Sequence, residues 1–156
     1  MQSAILSKRT HPMSLVHKSV ALNYSARQMY ALVERIEDYP RFLPWCGEVQ
    51  VQRDSENRHV IATLTMQFHG LRHSFTTKNT NSPPESIKLT LLRGPFRKLE
   101  GQWTFTSLGE NRCRIELNMN YEFSGWLLEK MIGPVFDIVS NNLVNSFCKR
   151  AKEVYG

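Results

Sequence analysis

The chain has 156 residues, enough for one domain with one sizeable core. Its 41% hydrophobic and 22% charged residues are an ordinary globular balance, and no apolar run approaches the ~20 residues of a membrane-spanning helix, so both a disordered chain and a transmembrane anchor are excluded. The net charge of +6 draws the molecule toward polyanions, RNA or an anionic lipid surface; a mildly basic solvated surface accounts for it equally well, and DNA is not an expected partner.

In chain order, residues 1–13 read as a flexible N-terminal extension ahead of a single domain over 14–156. Met1 to Pro12 carry Lys8 and Arg9 and no acid, and lack the apolar stretch of a secretory signal. Met1 and Met13 are the two candidate starts, Met13 being the simpler reading, with Met1 to Pro12 an upstream extension. Leu15 to Leu22 reads as a first strand. Ser25 then caps a helix, with Gln28 placed to complete a capping box and Tyr24 and Met29 placed for a hydrophobic staple. That helix is expected to run to about Glu37, with Met29, Leu32, Val33 and Ile36 on one face. Pro40 and Pro44 bracket a second, short helix, and the apolar segment Tyr39 to Trp45 is a candidate lid.

From Gly47 to Phe123 the hydrophobic period becomes two, the mark of antiparallel strands with one wet and one dry face. Val60, Ala62, Leu64, Met66 and Phe68 share a face. So do Leu71, His73 and Phe75, then Ile87, Leu89 and Leu91, then Leu99, Gly101, Trp103 and Phe105, and finally Cys113 to Phe123 by alternate residues. Asn81 to Pro84 reads as a loop, Gly94-Pro95 as a turn and Gly109 to Asn111 as a hairpin. Leu128, Ile132, Val135, Val139, Leu143, Phe147 and Ala151 recur at helical spacing, with a kink or restart expected at Gly133-Pro134.

The fold class is therefore α+β. A curved antiparallel sheet of about seven strands wraps one long C-terminal helix, and two short helices follow the first strand, the helix-grip arrangement. Curvature leaves space between helix and sheet, and space lined by apolar side chains is a ligand cavity.

Several ordered motifs resemble a known family. Tyr24-Ser25-Ala26, Gln28-Met29-Tyr30, Tyr39-Pro40 and Phe42-Leu43-Pro44 with Cys46 open the match. Phe75-Thr76-Thr77-Lys78-Asn79 and Gly94-Pro95-Phe96-Arg97-Lys98-Leu99 continue it, and Arg150 to Tyr155 closes it. Over roughly Leu15 to Tyr155 the chain is similar to the bacterial ribosome-association toxins and the coenzyme Q-binding START-like proteins. Lys78 stands where that family usually has Arg, and Pro134 where a non-proline is expected. The resemblance implies a START-like domain and two functions of different class: a chaperone that binds ubiquinone in support of respiration, and a protein that binds the large ribosomal subunit and blocks subunit joining.

No enzyme, metal or cofactor chemistry is expected. Cys46, Cys113 and Cys148 are scattered, which suits a reducing cytoplasm. His69 and His73 straddle a turn, and no third ligand joins them. His17 and His59 read as surface strand residues.

The expected ligand is a hydrophobic small molecule, a quinone or lipid. The residues expected to hold it are Tyr39, Phe42, Leu43 and Trp45 in the lid; Leu64, Met66, Phe68, His73, Phe75, Leu89 and Leu91 on the middle strands; Trp103, Phe105, Leu117, Met119 and Tyr121 on the last strands; and Met131, Val135, Phe136 and Val139 on the helix. For any one of them a packed core is the competing reading. Arg93, Arg97 and Lys98, with Lys149, Arg150 and Lys152, are the candidate polyanion contacts, toward rRNA or lipid headgroups. The expected location is cytoplasmic, with peripheral contact at the inner membrane.

Overall fold

Ser25 begins the first helix as its spacing to Gln28 requires. Its Oγ accepts from the Gln28 amide at 3.1 Å, and Gln28 Oε1 accepts from the Ser25 amide at 2.9 Å. The computed structural model describes residues 13–156; the extension expected over residues 1–13 lies, but for Met13, outside the described residues.

The elements are β1 (Ser14–Leu22), α1 (Ala26–Glu34), a 3-10 turn (Ile36–Asp38), α2 (Tyr39–Phe42), β2 (Cys46–Arg53), β3 (His59–Phe68), β4 (Leu71–Ser82), β5 (Ser86–Arg93), β6 (Phe96–Gly109), β7 (Arg112–Phe123) and α3 (Trp126–Tyr155). The strands form one seven-stranded antiparallel sheet in the order β1-β7-β6-β5-β4-β3-β2. β1 pairs with the last strand, Val16 opposite Met119, while α1 and α2 carry the chain across to the far edge, where β2 begins. Register shifts at Cys46/Glu48, Thr76/Thr77, Phe96/Lys98 and Ser107/Gly109 bend the sheet. α3 lies in the resulting concavity and buries Ile132, Phe136, Val139, Ser140, Val144, Phe147 and Ala151. Phe147 sits edge-on to Trp103 at 5.3 Å and to Tyr39 at 5.4 Å, so one helical side chain locks β6 and the short helices together.

Three boundaries differ from the sequence expectation. α1 ends at Glu34, not near Glu37, because Arg35 leaves helical geometry (φ −86°, ψ 70°) and the chain tightens into the 3-10 turn; Tyr39 Oη fixes that corner by donating to the Val33 carbonyl at 2.5 Å. β4 runs on to Ser82, so Asn81 belongs to the strand and pairs with Ile87. α3 is continuous through Gly133-Pro134, with no restart. Burial of Ile132, Gly133 and Phe136 on the sheet, where a Cβ on Gly133 would stand 3.6 Å from the Phe123 ring, offsets the hydrogen bond that proline removes.

Candidate ligand cavity and basic surfaces

Between the sheet and α3 lies a cavity of about 90 Å³. Val33, Glu34 and Ile36 enclose it from α1 and the 3-10 turn, Tyr39 and Trp45 from either end of the lid segment, and Val60 and Leu64 from β3. β4 contributes Phe75, Thr77, Asn79 and Asn81; β5 and β6 contribute Ile87, Leu89, Leu99 and Trp103; Met119 comes from β7, and Phe136, Val139, Ser140 and Leu143 from α3. Gly101 lies between Leu99 and Trp103, where a Cβ would meet Met119 Cγ and the Asn118 carbonyl at 3.2 Å, so a side chain there would require β7 to give by a few tenths of an ångström.

Of the residues expected to hold a ligand, Tyr39, Trp45, Leu64, Phe75, Leu89, Trp103, Met119, Phe136 and Val139 line this cavity. The others do not. Met66, Phe105 and Leu117 are buried core residues, packed where the sheet closes on the helices. Leu43 is packed with Ile36, Cys46 and Val60 in a second cluster under the lid. Phe42 faces Phe147 and lies 5.0 Å beneath the Arg150 guanidinium. Tyr121 turns its hydroxyl to α3, donating to Asp137 and lying 3.2 Å from Ser140 Oγ, so its polar tip is spent within the protein. Phe68 is 37% exposed at the β3–β4 turn. His73, Leu91 and Val135 are half-buried outside the cavity, and Met131 is 50% exposed. The period-two pattern gives the face of a strand correctly, but not how far along the strand the helix covers it.

The sequence reading did not assign Val33, Glu34, Ile36, Val60, Thr77, Asn79, Asn81, Ile87, Leu99, Ser140 or Leu143 to the cavity. Thr77, Asn79 and Asn81 carried a usable signal, since they continue the Phe75 face by alternation while turning polar.

Burial governs the titrating groups nearby. Tyr121 is pushed up to about 12 by burial and then by its bond to Asp137, and Tyr30 to about 12 by burial and the Glu34 charge. Tyr39 is pushed far above its ordinary value by burial. The Cys46 thiol is raised to about 11, and the Cys113 and Cys148 thiols are also raised, by burial. Glu37 is lowered chiefly by its hydrogen bond from Arg53. Among the described residues no group of three His, Cys, Asp or Glu side chains is placed to hold a metal ion.

The two basic clusters lie at opposite ends of α3. Phe96, beside Arg97, pairs with Phe123 just before the helix starts, whereas Tyr155 Oη at its far end donates to the Gln28 carbonyl at 2.9 Å. From Trp126, where the helix starts, to Lys149 the helix rises by about 35 Å. Arg97 pairs with Glu122 at 3.3 Å and Lys98 with Glu100 at 3.6 Å. Arg150 pairs with Glu153 at 3.5 Å while stacked on Phe42. Arg93, Lys149 and Lys152 are exposed.

The opening turns of α3 are apolar on their outer side as well. Trp126 is 66% exposed, Leu127 57%, Met131 50% and Ile138 59%. Ser124 donates to the Pro95 carbonyl at 2.9 Å, tying this stripe to the turn that carries Leu92 and Arg93.

The family model "Polyketide cyclase / dehydrase and lipid transport" matches residues 22–148. A protein of Pseudomonas aeruginosa named ribosome association toxin RatA is 40% identical over 141 residues, spanning 90% of this chain and 97% of that one. A Dictyostelium discoideum protein named mitochondrial coenzyme Q-binding protein COQ10 is 27% identical over 143 residues, spanning 86% of this chain and 67% of its own length. The structure of a START superfamily protein from Mycobacterium smegmatis superposes with a TM-score of 0.71 at 22% identity, covering 90% of this chain and 98% of that one. The chain has the helix-grip fold and belongs to the polyketide cyclase/dehydrase and lipid transport family.

Proposed function

We propose that the protein binds a hydrophobic ligand, ubiquinone or a similar lipid, between sheet and α3, and that it shields and releases the ligand without chemistry and without a cofactor. The observation that carries this reading is the apolar chamber walled by Trp45, Leu64, Phe75, Trp103, Met119 and Phe136. Its 90 Å³ is less than the roughly 150 Å³ of a cavity that accepts benzene, and far below the ~300–1,000 Å³ of common ligand sites. A ligand therefore enters by widening the chamber. The lid segment is the wall with the least secondary structure, one four-residue helix between Asp38 and Leu43.

Burial is a sufficient driving force, since each isoprene unit contributes on the order of 3–4 kcal/mol before ordering costs. The exposed stripe Trp126, Leu127, Met131 and Ile138, beside Arg93 and Lys130, suits peripheral contact with an anionic membrane where a lipid is exchanged. Among the described residues no helix is long and apolar enough to cross one. The name of the COQ10 relative supports the quinone. Against catalysis stand the raised Cys46 thiol and the Glu34 carboxylate, which Arg53 and Asn57 already engage. Native mass spectrometry of the purified protein, followed by organic extraction, tests the reading: a bound quinone or lipid is expected, and an empty protein that takes up none overturns it.

The second reading is association with the large ribosomal subunit. The RatA names on relatives matching over nearly the whole chain favour it, together with the exposed Arg93, Lys149 and Lys152. The basic clusters sit toward opposite ends of α3, so each can be reversed separately. Cosedimentation of each charge-reversed cluster with ribosomal subunits tests it.

A further inference from the structure

The chamber is chemically polarised along β4. Phe75, Thr77, Asn79 and Asn81 alternate onto its inner face, so the wall passes from aromatic to amide over about 20 Å of strand. Asn79 is 4% exposed and Asn81 3%. Buried amides are as a rule hydrogen-bonded through all their groups, and here each is bonded only in part. Thr77 Oγ1 donates to Asn79 Oδ1 at 2.8 Å, which leaves the Asn79 Nδ2 donor without a protein partner among the described residues. Asn81 Nδ2 donates to the Asn57 carbonyl at 3.0 Å, which leaves the Asn81 Oδ1 acceptor without a protein donor among the described residues.

The orientation of Asn81 is held through Asn57 by a network that includes Glu34 of the cavity wall. Asn57 Nδ2 donates to Glu34 Oε1 at 2.8 Å, and Arg53 donates to Asn57 Oδ1 at 2.6 Å while pairing with Glu34 and Glu37. A fixed donor and a fixed acceptor thus stand two residues apart on one strand, inside an apolar chamber.

We propose that this amide pair is the polar-head subsite of the cavity, and that it recognises a head group that both accepts and donates a hydrogen bond: a hydroxyl beside a carbonyl or second hydroxyl, as in a hydroquinone or phenolic lipid. This rests on the reading of the chamber as a hydrophobic-ligand site and adds the direction and chemistry of the ligand. The head sits on Asn79 and Asn81, and the apolar part runs toward Phe75 and Phe136. A fully oxidised quinone offers acceptors only. It satisfies Asn79 Nδ2 and leaves Asn81 Oδ1 unpaired, so the reduced form is held more tightly.

The test is binding of decylhydroquinone, kept reduced under anaerobic conditions, against decylbenzoquinone, read by quenching of tryptophan fluorescence. The wild type is expected to favour the hydroquinone by about three- to tenfold, the worth of one added hydrogen bond. Asn81→Leu is expected to abolish the preference, bringing the ratio of the two affinities to one or below whatever the affinity for each probe, whereas Asn79→Leu weakens both probes. A purely apolar chamber gives the opposite order, because the hydroquinone is the better hydrated of the two. Equal binding, or tighter binding of the quinone by the wild type, overturns the subsite and leaves the cavity reading standing. No saturable binding of either probe overturns both.

Discussion

Tyr121 on β7 and Ser140 on α3 meet hydroxyl to hydroxyl at 3.2 Å, with Asp137 accepting from the same phenol. This contact crosses from the sheet to the helix beside the chamber and spends a polar tip that a bound ligand would otherwise use. Tyr121→Phe is therefore expected to lower stability by about 1–2 kcal/mol in a urea titration and to leave ligand affinity unchanged. A loss of affinity at unchanged stability would return Tyr121 to the ligand site.

The same burial makes stability sensitive to alkali. Tyr30 and Tyr121 titrate near 10 when exposed and near 12 in the fold. Their folded values are raised, so the stabilisation is complete below pH 10 and is lost as pH rises through 12. The midpoint of denaturant unfolding should fall across that window. It should fall less steeply in the Tyr30→Phe, Tyr121→Phe double variant, in which the lysines still titrate as in the wild type.

Trp103 is 2% exposed, stacks with Phe105 and meets Phe147 edge-on, while one side of it faces the chamber. Trp103→Ala should cost about 3–5 kcal/mol and enlarge the cavity. Xenon or benzene binding to the variant checks the enlargement, and unchanged stability would remove Trp103 from the core.

Pro134 lies inside a continuous helix on its solvent side. Pro134→Ala restores one helical hydrogen bond and should raise stability by about 1–3 kcal/mol. The rate of ligand exchange should not change, because no helix break exists there to act as a mouth. A slower exchange would assign a gating role to the Gly133-Pro134 pair.

The exposed apolar start of α3 gives a membrane prediction. Leu127→Glu with Met131→Glu should reduce cosedimentation with phosphatidylglycerol-rich vesicles by about tenfold or more, since two apolar groups no longer enter the interface. Retained vesicle binding would exclude this end of the helix as the contact.

Most of the architecture was legible because each element declares itself locally. Ser25 and Gln28 mark a helix start, and the alternation from Cys113 to Phe123 admits only a strand with one buried face. Positions along a face were not legible. Leu64 and Met66 share one face of β3, yet Leu64 borders the chamber and Met66 is packed, because the outcome depends on where sheet curvature carries the strand away from α3. Met131 fits the helical period of the core but lies where α3 is apolar on two sides, and periodicity does not choose between them. Asn81 next to Ser82-Pro83-Pro84 reads as loop chemistry; the pairing to Ile87 that makes it strand is a long-range contact.

The most direct measurement of the central claim is a salt titration of two binding equilibria on one preparation. Burial in an apolar chamber hardly responds to ionic strength, whereas phosphate contacts release counterions and weaken steeply with salt. The account predicts saturable quinone binding that persists from low to high salt, and that is unaffected by charge reversal at Arg97, Lys98, Lys149 and Lys152. A protein that carries no lipid, binds no quinone at any salt, and cosediments with large ribosomal subunits in a salt-sensitive manner would contradict it.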